Sequence, residues 1–191
     1  MKSKYPFKCI LKYIPSRYDN LKDWQKANQR IVSDFKKGIV SEEHKTAILN
    51  AIKGIVNNSA NEWVVCFVPA HTMEETVKRY TSLAAYLQAN LECPVYIDSI
   101  KNYKNYNPVH QKGVKKEVKL HSFCKELFIG KHIVLFDDVI TTGRSFREMG
   151  DKLIWIGALS VYGVCFAKTI HPNLPVKNKK ETSKKTPMNS S

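Results

Sequence analysis

Residues 131 to 147 read KHIVLFDDVITTGRSFR, and no other stretch of this chain restricts its fold so sharply. Ile133, Val134, Leu135 and Phe136 form a short apolar run, rich in β-branched and aromatic residues, that gives way at once to charge. Such a run predicts a buried strand. Two adjacent carboxylates, Asp137 and Asp138, stand at its C-terminal edge, and Thr141-Thr142-Gly143 leads into a helix expected to begin near Arg144 or Ser145. A strand that ends in carboxylates and turns through backbone amides into a helix N-terminus can hold a sugar by its hydroxyls and an anion by its amides. A phosphorylated sugar satisfies both.

The flanking sequence supplies an alternation of strands and helices. Trp63 to Val68 is continuously apolar up to Pro69-Ala70, and the lack of alternation favours burial on both faces of a parallel sheet. Thr72 and Glu75 have the spacing of a capping box, ahead of a helical stripe of Val77, Tyr80, Leu83, Ala84, Leu87 and Leu91. Val95 to Ile97 then reads as a short strand, Arg144 to Trp155 as a helix ended by Gly157, and Ala158 to Ala167 as a long strand. The expected fold class is α/β, a three-layer arrangement with a mostly parallel central sheet flanked by helices. Upstream, the patch around Phe7, Ile10, Leu11, Tyr13 and Ile14 suits an edge strand or an irregular lid. Two helices should follow. The first carries Leu21, Trp24, Ile31 and Phe35, with Asp19 or Asn20 as cap and Gly38 at its end; the second follows Ser41, with Ala47, Ile48, Ala51, Ile52 and Ile55 inward. The expected organisation is a mainly helical extension over 1–58, packed on or capping an α/β core over 59–175, then a basic tail over 176–191.

At 191 residues the length suits one α/β domain. The formal charge of +14 draws nucleic acid and small phosphorylated molecules alike. Part of it lies in the tail VKNKKETSKKTPMNSS, which has few apolar anchors and reads as a disordered, solvated end, with a nucleic-acid anchor as the less favoured alternative. No run approaches the roughly 20 apolar residues a bilayer crossing needs, and MKSKYPFKCILKYI is too interrupted for a secretory signal. A cytoplasmic protein without membrane contact is expected. The five cysteines, Cys9, Cys66, Cys93, Cys124 and Cys165, are widely spaced with no CxxC pair, so reduced buried thiols are expected rather than structural zinc.

The central stretch resembles the phosphoribosyl diphosphate (PRPP) binding motif of type I phosphoribosyltransferases. In that motif a hydrophobic strand runs into two acidic residues, two small apolar positions and Thr-Thr-Gly followed by Ser or Thr; Val134 to Gly143 and Ser145 match it without a gap. The resemblance extends from about Glu62 to Thr169 and is sharp at residues 133 to 145. It is nearest to the amidophosphoribosyltransferase-like and DNA-uptake-associated small members. The latter commonly carry an N-terminal cysteine-bearing zinc module and an Arg-Gly-Phe-Asn-like element; neither is present, and Lys78-Arg79-Tyr80 is a faint trace of the second.

The resemblance implies Mg2+-dependent transfer of a phosphoribosyl group from PRPP to a small nitrogen acceptor, a nucleobase or an amine. A catalytically inactive PRPP- or nucleotide-binding regulator is the alternative, and a homodimer is compatible with either. It places the 5-phosphate against Thr141, Thr142, Gly143, Arg144 and Ser145, next to Val139 and Ile140. The ribose hydroxyls fall to Asp137 and Asp138, which would act on Mg2+ through PRPP or water. The diphosphate would meet the turn Ala70-His71-Thr72, where many members carry Arg or Lys; His71 could donate to phosphate or serve as a surface residue. Arg79 could reach the anion or only solubilise its helix. The polar interval Ser99 to Leu120 is the place of a catalytic loop bringing Lys112 and Lys115 toward diphosphate, or else an exposed basic hairpin touching nucleic acid through Tyr103 and Tyr106. Lys168 stands at the mouth of the last strand.

Overall fold

The computed structural model describes residues 4–56, 60–105 and 118–171. Apolar residues in unbroken runs build its central sheet. Strands β1 (Phe7–Tyr13), β2 (Trp63–Phe67), β3 (Val95–Tyr96), β6 (His132–Ile140) and β7 (Ser160–Thr169) form five parallel strands in the order β1-β7-β6-β2-β3. Strands β4 (Ile100–Asn105) and β5 (Val118–Phe123) pair as a separate antiparallel hairpin. Because the large strands are parallel, their C-terminal ends share one edge, where ligands of open α/β sheets bind.

Helices cover both faces. Alternate strand residues point to opposite sides. Trp63, Val65, Phe67, Val134 and Phe136 pack with α1 (Asp23–Lys36), α2 (Glu42–Lys53) and α3 (Met73–Asn90), while Val64, Cys66, Ile133 and Leu135 pack with α4 (Arg144–Ile156). The expected three-layer α/β class is the observed one. The N-terminal patch is an edge strand of the main sheet, paired with β7 from Phe7↔Gly163 to Tyr13↔Thr169.

Caps fix where the helices start and stop. Ser41 and Thr72 cap α2 and α3, and Thr72 with Glu75 completes the expected capping box. Helix α1 starts later than Asp19 or Asn20 would place it. Its cap is Lys22, whose amide donates to Gln25 Oε1 at 2.8 Å, and Trp24, expected inward, is 47% exposed. Gly38 ends α1 with φ +86°, where a side chain would also collide with the Lys78 carbonyl of α3. Between β5 and β6 the chain makes a 3-10 turn at Lys125–Leu127.

The expectation of reduced cysteines is corrected at one pair. The parallel register sets Cys9 of β1 opposite Cys165 of β7, Cα atoms 4.5 Å apart, and the two form a disulfide across 156 residues of sequence. Among the described residues Cys66 and Cys93 are buried free thiols and Cys124 is exposed. Burial pushes the Cys66 thiol far above its usual range. No helix among the described residues is long and apolar enough to cross a membrane.

One sheet position tests this packing directly. Gly163 has no room for a methyl group: a Cβ would lie 2.5 Å from Phe146 Cζ and 2.6 Å from Phe7 Cβ. Gly163→Ala is expected to destabilise the fold by about 1–3 kcal/mol through overpacking. Urea unfolding measures it, and an unchanged midpoint would contradict the register of β1 on β7.

Candidate functional site

Strand β6 outruns its neighbour β2. Their pairing ends at Phe67↔Phe136, closed by a hydrogen bond from the Val68 amide to the Phe136 carbonyl at 2.8 Å. Beyond that point Asp137, Val139 and Ile140 pair only with β7, at Cys165, Ala167 and Lys168. The carboxylates therefore belong to the strand, whereas the sequence suggested that it stops at Phe136. Each is 8% exposed.

Their side chains stay close enough to interact, yet each takes a different further neighbour. Asp137 faces a cavity of about 210 Å³, lined with it by Val68, Val139, Ile140 and the turn from Thr141 to Phe146. Asp138 meets α3 instead, where Arg79 Nη1 lies 2.6 Å from its Oδ2 in an ion pair whose side chains are 16% and 12% exposed. Its Oδ1 accepts from the Val139 amide at 2.7 Å. Burial holds the Asp137 carboxyl well above the usual carboxylate range; the neighbouring charge of Asp138 adds to this and Arg79 opposes it. Tyr80 is likewise pushed well up, first by burial and then by Asp138.

The turn into α4 supplies the opposite polarity. Gly143 precedes the helix with φ +72°, in the left-handed region, while a Cβ there would meet nothing closer than Ile140 Cγ2 at 3.8 Å. Conformation and not space calls for glycine. Gly143 supplies no capping side chain and the first turn of α4 holds no acidic residue; the Arg144 amide donates to Thr142 Oγ1 at 3.4 Å, and the amides that follow, with the positive end of the helix dipole, remain for an anion. Thr141 Oγ1 lies 2.9 Å from Thr169 Oγ1, which fixes the turn to the end of β7. Arg144 turns to Glu148, 2.8 Å away along the helix.

The turn after β2 is more self-contained. The Ala70 amide donates to Thr76 Oγ1 at 2.9 Å, the Thr72 amide to Glu75 Oε2 at 3.3 Å, and Asn102 of β4 donates to the Ala70 carbonyl. His71 is exposed. Glu74 and Glu75 bring negative charge to the first turn of α3.

The structure thus gathers Asp137 and Val139 to Ser145 around one cavity. Asp138 and Arg79 form an ion pair on the adjoining face, Ala70 to Thr72 sit at the end of β2, and Lys168 sits at the end of β7, its Nζ 5.3 Å from the Phe7 ring centroid. Lys112, Lys115 and the basic tail lie outside the described residues. Sequence reasoning missed Thr76 and Asn102, which close the β2–α3 turn, and a cluster in which Arg17, Tyr18 and His171 come within 3.3–3.4 Å of one another. The spacing of Thr72 and Thr76 on a helical start was a usable signal for the first. The others depend on contacts across the fold.

No family model matches the sequence, and no curated protein matches it. Among solved structures the chain is similar to an allosteric regulatory enzyme of purine biosynthesis, with TM-score 0.45 and 16% identity over 70% of this chain and 30% of that one. It is also similar to a hypothetical protein from Neisseria gonorrhoeae with bound ppGpp, with TM-score 0.42 and 13% identity over 78% and 74% of the two chains. A ternary-substrate complex of hypoxanthine phosphoribosyltransferase from Trypanosoma cruzi gives 0.42 and 15% over 76% and 79%. The chain spans less than a third of the first of these proteins. At these identities and scores the likeness is to a general chain path and extends to no residue role.

The raised pKa of Asp137 makes a prediction about stability. The folded protein holds this proton more tightly than the unfolded chain, whose carboxyl titrates at the ordinary value of 3.8. The stabilisation is complete below that value and is lost as pH rises toward the raised folded value. Asp137→Asn removes the loss, so its thermal midpoint is expected to exceed the parent's at about pH 7 and to approach it near pH 4. A difference that stays flat across that interval would count against a buried, protonated Asp137.

Proposed function

We propose that the chain is a type I phosphoribosyltransferase that binds PRPP with Mg2+ and transfers the phosphoribosyl group to a small nitrogen acceptor, releasing diphosphate. One observation carries the proposal: Asp137 and the uncapped first turn of α4 face the same cavity of about 210 Å³. A carboxyl group and a helix N-terminus lining one cavity suit the two ends of a ribose 5-phosphate. The 5-phosphate would rest on Thr141, Thr142, Gly143 and Ser145, and the ribose hydroxyls on Asp137 and Asp138. Ala70 to Thr72 would face the diphosphate, and Lys168 the acceptor.

Asp137 and Asp138 are hard oxygen donors of the kind Mg2+ takes. Among the described residues no group of three or more His, Cys, Asp or Glu side chains could hold a metal, so substrate oxygens and water would complete its shell. When bound, Mg2+ would neutralise charge on the departing diphosphate. The protein's own contribution is placement and electrostatics. Asp138, and Asp137 in the ionised form that a bound Mg2+ would favour, would offset positive charge developing on the ribose ring, while the helix end anchors the phosphate and enclosure keeps water from the reactive carbon.

A second assignment, a PRPP- or nucleotide-binding regulator without transfer, draws support from the β2–α3 turn, where the Ala70 and Thr72 amides are already engaged. Incubation with PRPP, Mg2+ and a panel of bases and amines separates the two, with diphosphate and new ribonucleotides as readouts. Turnover with at least one acceptor is expected. Saturable PRPP binding with no diphosphate released across the panel would favour the regulator.

A further inference from the structure

Arg79 joins α3, the helix that follows the β2–α3 turn, to Asp138 of β6, and the inference drawn from it rests on the proposed PRPP site. Its guanidinium is committed to Asp138 at 2.6 Å. That commitment is incomplete: Arg79 Nε is buried without a hydrogen-bond partner, an expensive condition for a cationic donor. Arg79 grows from α3, the helix that begins at the β2–α3 turn. In that turn the Ala70 and Thr72 amides are engaged, and Glu74 and Glu75 follow at the helix start. A diphosphate placed there needs a cation from elsewhere, and a ribose placed at β6 needs a carboxylate that Arg79 already occupies.

We propose that Arg79 exchanges partners, holding Asp138 in the empty site and passing to the diphosphate when PRPP binds, which releases Asp138 to the ribose hydroxyls. A diphosphate offers the guanidinium a planar, charge-assisted, two-pronged contact that outcompetes a single carboxylate oxygen. Ribose 5-phosphate, its one phosphate held at the α4 turn, offers none on the Arg79 side. The exchange makes Arg79 a specificity-determining residue: the sugar site opens fully only for a ribose phosphate that carries diphosphate. Tyr80, beside Arg79 on α3, is a fixed wall for the movement, since its hydroxyl donates to the Val68 carbonyl at 3.2 Å and its ring lies 4.6 Å from that of Phe67.

The two halves of PRPP, added separately, test the exchange. Two anions crowded into one small site repel, so a rigid site binds ribose 5-phosphate more weakly when diphosphate is present. Partner exchange predicts the opposite sign. Calorimetry on the full chain in Mg2+ buffer is expected to show diphosphate tightening ribose 5-phosphate binding by about fivefold or more, a coupling that is reciprocal. Arg79→Met should abolish or reverse the coupling, and Arg79→Lys should retain a reduced one. Asp138→Asn, in which Arg79 is already released, should also lose it, and this variant keeps the test decisive if R79M fails to fold by circular dichroism. Zero or negative coupling in the parent protein, or positive coupling that persists in R79M or D138N, would overturn the exchange while leaving a PRPP site in place. Failure of the parent protein to bind PRPP or either half would remove the site itself, and the exchange with it.

Discussion

Phe136 is the last residue of β6 with a strand on both sides; the residues that follow keep β7 and lose β2. That half-supported overhang is the constraint on which the site depends. A central parallel strand buried on both faces has no place for charge, and Ile133 to Phe136 accordingly carry none. Once β2 stops, space opens beside the strand, and Asp137 lines it. Pairing with β7 continues to Ile140↔Lys168, which holds the overhang extended and preserves the pleat. The two carboxylates thereby take different neighbours, one at the α4 turn and the other on α3, while remaining close enough to interact at the strand end.

Two neighbouring carboxylates, each 8% exposed, pose an electrostatic problem that the fold meets in two ways. Asp138 is matched with a cation, Arg79. Asp137 has no such match, and burial favours its neutral form. A buried ion pair of this kind adds little stability over a well-packed apolar pair of the same volume. The aromatic cluster of Phe35, Phe67, Tyr80, Phe136 and Phe166 lines the same side of the sheet, and apolar side chains would have extended it. Stability alone does not account for charge there.

Features set by neighbours in sequence were legible before the structure. The Thr72–Glu75 capping box, the glycine ends of α1 and α4, and the strand leading to the carboxylates all follow from local patterns. Features set by pairing across the sheet were not. The true length of β6 depends on β7 running beside it to Lys168, and the Cys9–Cys165 bridge depends on the register of strands separated by 156 residues. The start of α1 was misjudged for a subtler reason. Asn20 takes a left-handed φ of +55°, a conformation open to asparagine within a turn, and the bond from the Lys22 amide to the Gln25 side chain marks the boundary instead. At the candidate site, the motif drew attention to the strand end and the turn into α4, but the partner of Asp138 lay 59 residues upstream on a helix whose charged residues read as solvated.

The N-terminal segment bears on the same ion pair. Phe35 of α1 stacks on Phe166 at 4.2 Å and lies 6.0 Å from Phe136, so α1 completes the apolar layer beneath the strand ends. Gly38 then brings the end of α1 against the Lys78 carbonyl, one residue from Arg79. Sealing that layer excludes water and lowers the local dielectric, which strengthens the attraction between Arg79 and Asp138 and raises the cost of leaving either one alone. The segment that looked in sequence like an addition to the core therefore helps to set how firmly Arg79 holds Asp138, without supplying an atom to the cavity's lining.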